Sequence, residues 1–68
     1  MITPQIAESR LTSVMGAMAA AKDHKRIHGF EDDLLMDLIA QYNEFWMPGI
    51  RETLGDDYVD AELRKYVA

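Results

Sequence analysis

The 68-residue chain has a formal net charge of −5 and no cysteine, which excludes disulfides and thiolate metal sites. A chain of this size forms one domain, residues 1–68, and buries only about 60% of its unfolded surface, so oligomerisation is the expected source of further stability. No signal-peptide pattern opens the sequence, and the longest run of apolar or glycine residues spans eight positions, 14–21, far below the roughly 20 that cross a bilayer. We therefore expect a cytoplasmic protein without a membrane segment.

The acidic residues are concentrated in one part of the chain. Ten of the twelve lie between Glu31 and Glu62, where Arg51 is the only basic residue, so this segment carries a formal charge of −9. Residues 1–30 carry +2, and residues 63–68 carry +2. This balance argues against binding to nucleic acids or anionic membranes, because their phosphates would repel the acidic segment. An exposed acidic array could instead enter a basic cleft of a protein partner.

The first predicted helix has clear signals at both ends. Thr3 is suited to the N-cap and Pro4 to the first helical position. Gly29 is suited to the position that follows a helix end at about His28. The last turns contain a basic cluster whose charge suits the negative end of the helix dipole: Lys22, Lys25, Arg26 and His28.

This helix has two faces suited to packing. One is an ordinary core stripe: Ala7, Leu11, Val14 and Met18. The other consists of small residues that let two backbones approach closely: Ser9, Ser13, Gly16 and Ala20. A helix of about 25 residues is about 37 Å long, which exceeds the diameter of about 28 Å expected for a compact domain of this length. We therefore predict a homodimer with the small residues at its interface.

The second predicted helix begins near Glu31 and ends at about Trp46. At 100° per residue, one arc of about 140° contains its large apolar residues: Leu34, Leu35, Leu38, Ile39, Tyr42, Phe45 and Trp46. The opposite side is acidic: Asp33, Asp37 and Glu44. We expect the core to consist of Leu35, Leu38, Ile39 and Tyr42 against Leu11, Val14 and Met18.

The remaining sequence predicts shorter helices. Pro48 indicates either the end of the second helix or a kinked continuation. A short segment, Ile50 to Leu54, is ended by Gly55, and Asp57 is the expected N-cap of a last helix from Tyr58 to about Val67. No segment alternates apolar and polar residues like a strand. The fold class is therefore all-α: a small helical bundle of three to four helices, expected to be dimeric.

The basic cluster suggests an alternative function, the binding of a small phosphate or nucleotide ligand, although no glycine-rich phosphate loop supports it. His24 and His28 lie four residues apart on one helix face, a spacing that can chelate a metal. A third ligand is missing, and Lys25 and Arg26 lie between the histidines. We therefore expect no metal site and no cofactor.

A metal-dependent hydrolase is a further alternative, because Asp33 and Asp37 have a spacing that could bind magnesium. Such a site needs carboxylates from two helices to converge in a pocket, whereas these two are expected to face solvent. Ser9 and Ser13 lie about three or four helical turns from either histidine, so no catalytic triad is apparent. We expect no catalytic residues.

The sequence thus predicts a small, non-catalytic regulator or inhibitor that binds a basic protein surface. The expected contacts are exposed acids and one aromatic anchor: Asp33, Asp37, Glu44, Asp56, Asp57 and Trp46. A second copy of the chain is the other expected partner. Nucleic acid and membranes are not expected to be bound directly.

Overall fold

The computed structural model describes residues 1–67, with side chains described through Lys65. The elements are α1 (Pro4–His28), α2 (Asp33–Gln41), a π-helical turn (Tyr42–Trp46), α3 (Met47–Leu54) and α4 (Asp56–Val67). The π-helical turn joins α2 and α3 into one continuous helix, so the fold has three helices in space. No strand is present within residues 1–67, and the all-α prediction is confirmed.

The predicted signals at both ends of α1 are confirmed. The Ile6 N–H donates to the Thr3 hydroxyl at 3.2 Å, so Thr3 is the N-cap. Pro4 is the first helical residue. Gly29 has a φ of 81°, and its N–H donates to the carbonyl of Lys25. This left-handed conformation satisfies a terminal carbonyl and costs glycine little, because glycine has no Cβ.

The start of α2 lies slightly later than predicted. The helix begins at Asp33, not near Glu31, because the Asp32 carboxylate accepts from the N–H groups of Leu34 (2.9 Å) and Leu35 (3.3 Å). Asp32 is thus the N-cap, and its negative charge suits the positive end of the helix dipole.

The π-helical turn lets the chain pass Pro48 without ending the helix. The Met47 N–H donates to the carbonyl of Tyr42, five residues earlier, and the next residue, Pro48, has no N–H to donate. In a regular α-helix the proline ring would clash with the carbonyl four residues earlier, and that steric conflict usually breaks or kinks the helix. A wider turn just before the proline accommodates it, so the continuation through Pro48 is observed.

The same turn rotates α3 relative to α2. One residue inserted into a helix shifts every later residue by about 100°. This shift brings Met47 and Ile50 onto the side that faces α1, where both are buried. The prediction that Phe45 lies on the core arc was wrong, since Phe45 is 72% exposed. The prediction assumed a constant 100° per residue, which the π-helical turn interrupts. Leu34, at the edge of the same arc, is 81% exposed, so its placement in the apolar core arc was also wrong.

The core lies between the first half of α1, α3 and α4. Its buried side chains come from these three helices: Ala7, Leu11, Val14, Met15, Ala17, Met47, Ile50 and Val59. No described residue of α2 is buried. The predicted core residues Leu11 and Val14 are confirmed, and half-buried Met18 and Tyr42 pack against this core. The prediction was wrong for Leu35, Leu38 and Ile39, which are only half-buried and are not part of it.

The last helix begins earlier than predicted. Gly55, with a φ of 89°, separates α3 from α4, and α4 begins at Asp56. Asp57 is therefore inside the first turn and is not the N-cap. Arg51 of α3 bridges to this helix through ion pairs with Asp56 (3.0 Å) and Asp60 (2.8 Å). The Thr53 hydroxyl donates to the carbonyl of Ile2 at 3.4 Å, which links α3 to the start of the chain.

We predict that Ile50→Ala lowers the free energy of unfolding by about 2–5 kcal/mol, because Ile50 is completely buried and its removal leaves a cavity. Leu38→Ala should cost only about 1–2 kcal/mol, since Leu38 is half-buried. Urea denaturation followed by circular dichroism at low protein concentration would measure both. A larger loss for Leu38→Ala than for Ile50→Ala would show that α2, not α3, supplies the core.

Deletion of Asn43, an exposed residue of the π-helical turn, should remove most of the stability. The shortened turn would rotate Met47 and Ile50 away from α1 by about 100°. Asn43→Ala keeps the chain length and should change the free energy of unfolding by less than about 0.5 kcal/mol. Thermal unfolding of both variants is the measurement, and a deletion variant as stable as Asn43→Ala would contradict the proposed role of the turn.

Candidate partner-binding surface

The acidic segment contains a set of carboxylates that are exposed and unpaired. Among the residues that the structure describes, none forms an ion pair or a side-chain hydrogen bond with five of them: Asp33, Asp37, Glu44, Glu52 and Asp57. We call these five the acidic surface. Four of them were expected contact residues. The fifth, Glu52, is an exposed residue of α3 and was not among the predicted contact residues.

Asp56, also an expected contact residue, is exposed but paired. Its carboxylate lies 3.0 Å from Arg51, which also contacts Asp60 at 2.8 Å. These hydrogen bonds, first the one to Asp60 and then the one to Asp56, raise the pKa of Arg51 above its ordinary value. The guanidinium thus offsets part of the negative charge at the start of α4, and Asp56 contributes less to the acidic surface than its unpaired neighbour Asp57.

Trp46, the expected aromatic anchor, takes part in the packing of the protein itself. Its ring stacks on Tyr42, with 4.4 Å between the ring centroids and 19° between the ring planes. The guanidinium carbon of Arg10 lies 5.0 Å from the indole centroid, a distance at which cation–π attraction operates. Trp46 is half-buried, so only part of the ring remains available to a partner.

The basic cluster is occupied by contacts within the chain. Lys25 lies 3.5 Å from Glu31, and Arg26 lies 3.4 Å from Asp23. Both pairs are exposed, and exposed pairs are weak. No cavity is present among residues 1–67, so the structure provides no concave site beside the cluster for a small phosphate or nucleotide.

The two histidines lie in the last turns of α1, next to the turn that leads to α2. Their ring centroids are 4.5 Å apart, and Phe30 packs against His24 at 5.2 Å. The Nδ1 atom of His24 lies 3.0 Å from the carbonyl oxygen of Phe30. One ring nitrogen of His24 is therefore engaged in holding the turn. Within residues 1–67 no group of three or more suitable side chains could hold a metal ion.

The small-residue face of α1 is fully available. All four of its members are exposed: Ser9, Ser13, Gly16 and Ala20. A Cβ built on Gly16 would have nothing within 4 Å, and the Ser13 hydroxyl donates to the carbonyl of Ser9. Whether this face joins two copies of the chain stays a prediction.

Two features of the surface were missed at the sequence level. Phe30 and Leu34 are large apolar residues that are 62% and 81% exposed. The position of Phe30 in the turn after Gly29 could have indicated its exposure.

The second feature is a contact between α1 and α4. The Tyr58 hydroxyl is hydrogen-bonded to the Glu8 carboxylate, which raises the pKa of Tyr58 above its ordinary value. No sequence signal links these two residues, because α1 and α4 are distant in the chain.

Comparison of the chain with protein-family models, with curated proteins and with solved structures gave no significant match. Within residues 1–67, no helix combines the length and the apolar character that crossing a membrane requires.

We predict that zinc binds weakly, because His24 and His28 have no third ligand nearby and one nitrogen of His24 is occupied. Isothermal titration calorimetry should show no tight, stoichiometric complex. His24→Ala is the control, and it should leave the weak signal almost unchanged. A tight complex that disappears in His24→Ala would contradict this prediction and would favour a metal-dependent activity.

Proposed function

We propose that the protein is a small, non-catalytic regulator or inhibitor that binds a basic surface of another protein through its acidic surface. We also propose a cytoplasmic location, because a chain without cysteine has no disulfide that reducing conditions could break. One observation carries the proposal: the acidic surface consists of carboxylates that no described residue of the chain neutralises.

The unpaired state of these carboxylates separates them from the rest of the charges. Other acids of the described residues do have partners. Asp23 is paired with Arg26, Glu31 with Lys25, and Glu62 with Lys65, whereas Asp32 caps α2 and Glu8 is hydrogen-bonded to Tyr58. A carboxylate that already forms an ion pair gains less electrostatic stabilisation from a cationic partner than an unpaired carboxylate does. The acidic surface is therefore the part of the protein where a cationic partner would gain most.

The helix that runs from α2 into the π-helical turn fixes the spacing of three charges of the acidic surface. Asp33 and Asp37 are one turn apart, a rise of about 6 Å, and Glu44 lies about 16 Å from Asp33 along the axis. Charges held at fixed positions on a helix suit a partner with a matching row of lysine or arginine residues. Complementary potentials of this kind mainly accelerate association, and salt screens them over about 8 Å at physiological ionic strength.

The geometry favours a protein surface over a small ligand or a metal. The carboxylates of the acidic surface are exposed, and no cavity lies among residues 1–67. Asp33 and Asp37 are exposed, and no third ligand from the described residues joins them. Exposed charges that line no cavity are covered together only by a partner with an extended surface, such as another protein.

The experiment reverses three charges, with Asp33, Asp37 and Glu44 changed to Lys. Folding should be nearly intact, because all three side chains are exposed and unpaired. Wild type and variant are immobilised and exposed to a cell extract at low salt. Proteins that the wild type retains should be lost from the variant, and association rates with the purified partner should fall at least about tenfold.

The matched control reverses three acids that are already paired: Asp23, Glu31 and Glu62 to Lys. Each variant changes three charges by +2, so both move from −5 to +1. The control should keep most of the retention, because the acidic surface is unchanged. Equal loss in both variants would mean that only net charge matters. Equal rates for wild type and the first variant would show that the acidic surface only keeps the protein soluble.

A further inference from the structure

A long central part of the chain contains no buried side chain. Among residues 1–65, whose side chains the structure describes, the buried ones lie at positions 7–17 or at 47, 50 and 59, and none of residues 18–46 is buried. Within this part, the residues that face the neighbouring helix, such as Leu35, Leu38 and Ile39, are only half-buried.

The helix arrangement explains this distribution. α4 packs against α1 and α3, whereas α2 packs against α1. The end of α1, the turn and α2 therefore form a two-helix arm, residues 18–41, beyond the three-helix part of the protein. Two helices alone cannot surround each other's apolar faces, so the arm has no interior of its own.

The shape of the protein agrees with an incomplete arm. The radius of gyration is 12.4 Å, against about 11 Å for a compact domain of this length. The solvent-accessible surface is 4764 Å², against about 4,400 Å² expected for a monomer of this mass. The arm also exposes large apolar side chains, with Ile27 64%, Phe30 62% and Leu34 81% exposed.

The two helices of the arm carry opposite charge. Residues 18–30 contain three bases and one acid, which gives +2, and residues 31–41 contain four acids and no base, which gives −4. A basic partner would meet repulsion along the α1 side, and an acidic partner along the α2 side. A partner that presents both signs side by side fits better, and a second copy of the arm does so.

We propose that a second copy of this chain docks on the arm, so that two arms form a four-helix bundle. A two-fold axis places α1 of one copy beside α2 of the other, because such an interface uses the same patch on both copies. The end of α1 with its net positive charge then lies beside the net negative α2 of the other copy, at two places in the dimer. The half-buried leucines of both arms share one interior, which is how four-helix bundles are stabilised.

This interface differs from the small-residue face of α1 and goes beyond the proposed function. Asp33 and Asp37 lie on the side of α2 opposite Leu35 and Leu38, at 100° per residue. They stay outside the four-helix bundle. A dimer formed through the arms therefore keeps two copies of these charges available to a basic partner.

The test is Leu34→Gln in the full chain, studied by sedimentation equilibrium from low micromolar to near-millimolar concentration. Leu34 is 81% exposed in the single chain, so the substitution should leave the helix content by circular dichroism unchanged. In the dimer each copy loses one buried leucine, and the dissociation constant should rise at least about 100-fold. Ile6→Gln is the control, because Ile6 is an exposed apolar residue at the opposite end of α1.

Three outcomes are decisive. A wild-type dimer that Leu34→Gln dissociates and Ile6→Gln preserves supports the arm interface. A wild-type chain that remains monomeric throughout the range overturns it. A dimer that resists Leu34→Gln but dissociates in Gly16→Leu also overturns it and assigns the interface to the small-residue face. Gly16→Leu is usable for this purpose because the space around Gly16 is open in the single chain.

Discussion

The π-helical turn between Tyr42 and Trp46 is the constraint on which the rest of the structure depends. It accommodates Pro48, and it sets the rotation of α3 relative to α2. With one residue fewer, Met47 and Ile50 would point away from α1 while Leu35 and Leu38 still faced it. The single extra residue gives the long helix one continuous apolar side against α1. The charged residues lie on its other side.

The helix α4 covers α1 and α3 at one end of the protein only, and this divides the protein into two unequal parts. At one end three helices enclose Leu11, Val14, Ile50 and Val59, which are almost completely buried. At the other end α1 and α2 share only a partial contact. Local opening costs least where few apolar contacts hold the backbone, so the arm is the less stable part of a single chain, and the covered end determines whether the chain folds at all.

Much of the fold could be predicted from the sequence, because local signals determine it. Thr3, Pro4 and Gly29 define α1 by capping chemistry alone. The exposure of Asp33, Asp37 and Glu44 follows from the apolar periodicity of the predicted second helix. The core of α3 could not be predicted in the same way. Its residues are in phase with α2 only after the π-helical turn, and a constant 100° per residue cannot anticipate an inserted residue.

The candidate site was predictable to a similar degree. Acid clustering identified most of the acidic surface. It could not show that Asp56 is paired with Arg51 or that Trp46 contacts both Tyr42 and Arg10, because those contacts depend on where the helices meet. Pairing decides which charges remain available, and it is a property of tertiary structure, so composition alone overestimates the acidic surface.

The position of Trp46 gives the protein a built-in optical probe. It is the only tryptophan in the chain, it is the last residue of the π-helical turn, and it stacks on Tyr42 beneath a cation. Indole emission shifts to longer wavelength when the ring becomes hydrated. The fluorescence of the unlabelled protein therefore reports the state of the junction where the arm meets the covered end, separately from the far-ultraviolet signal of the helices as a whole.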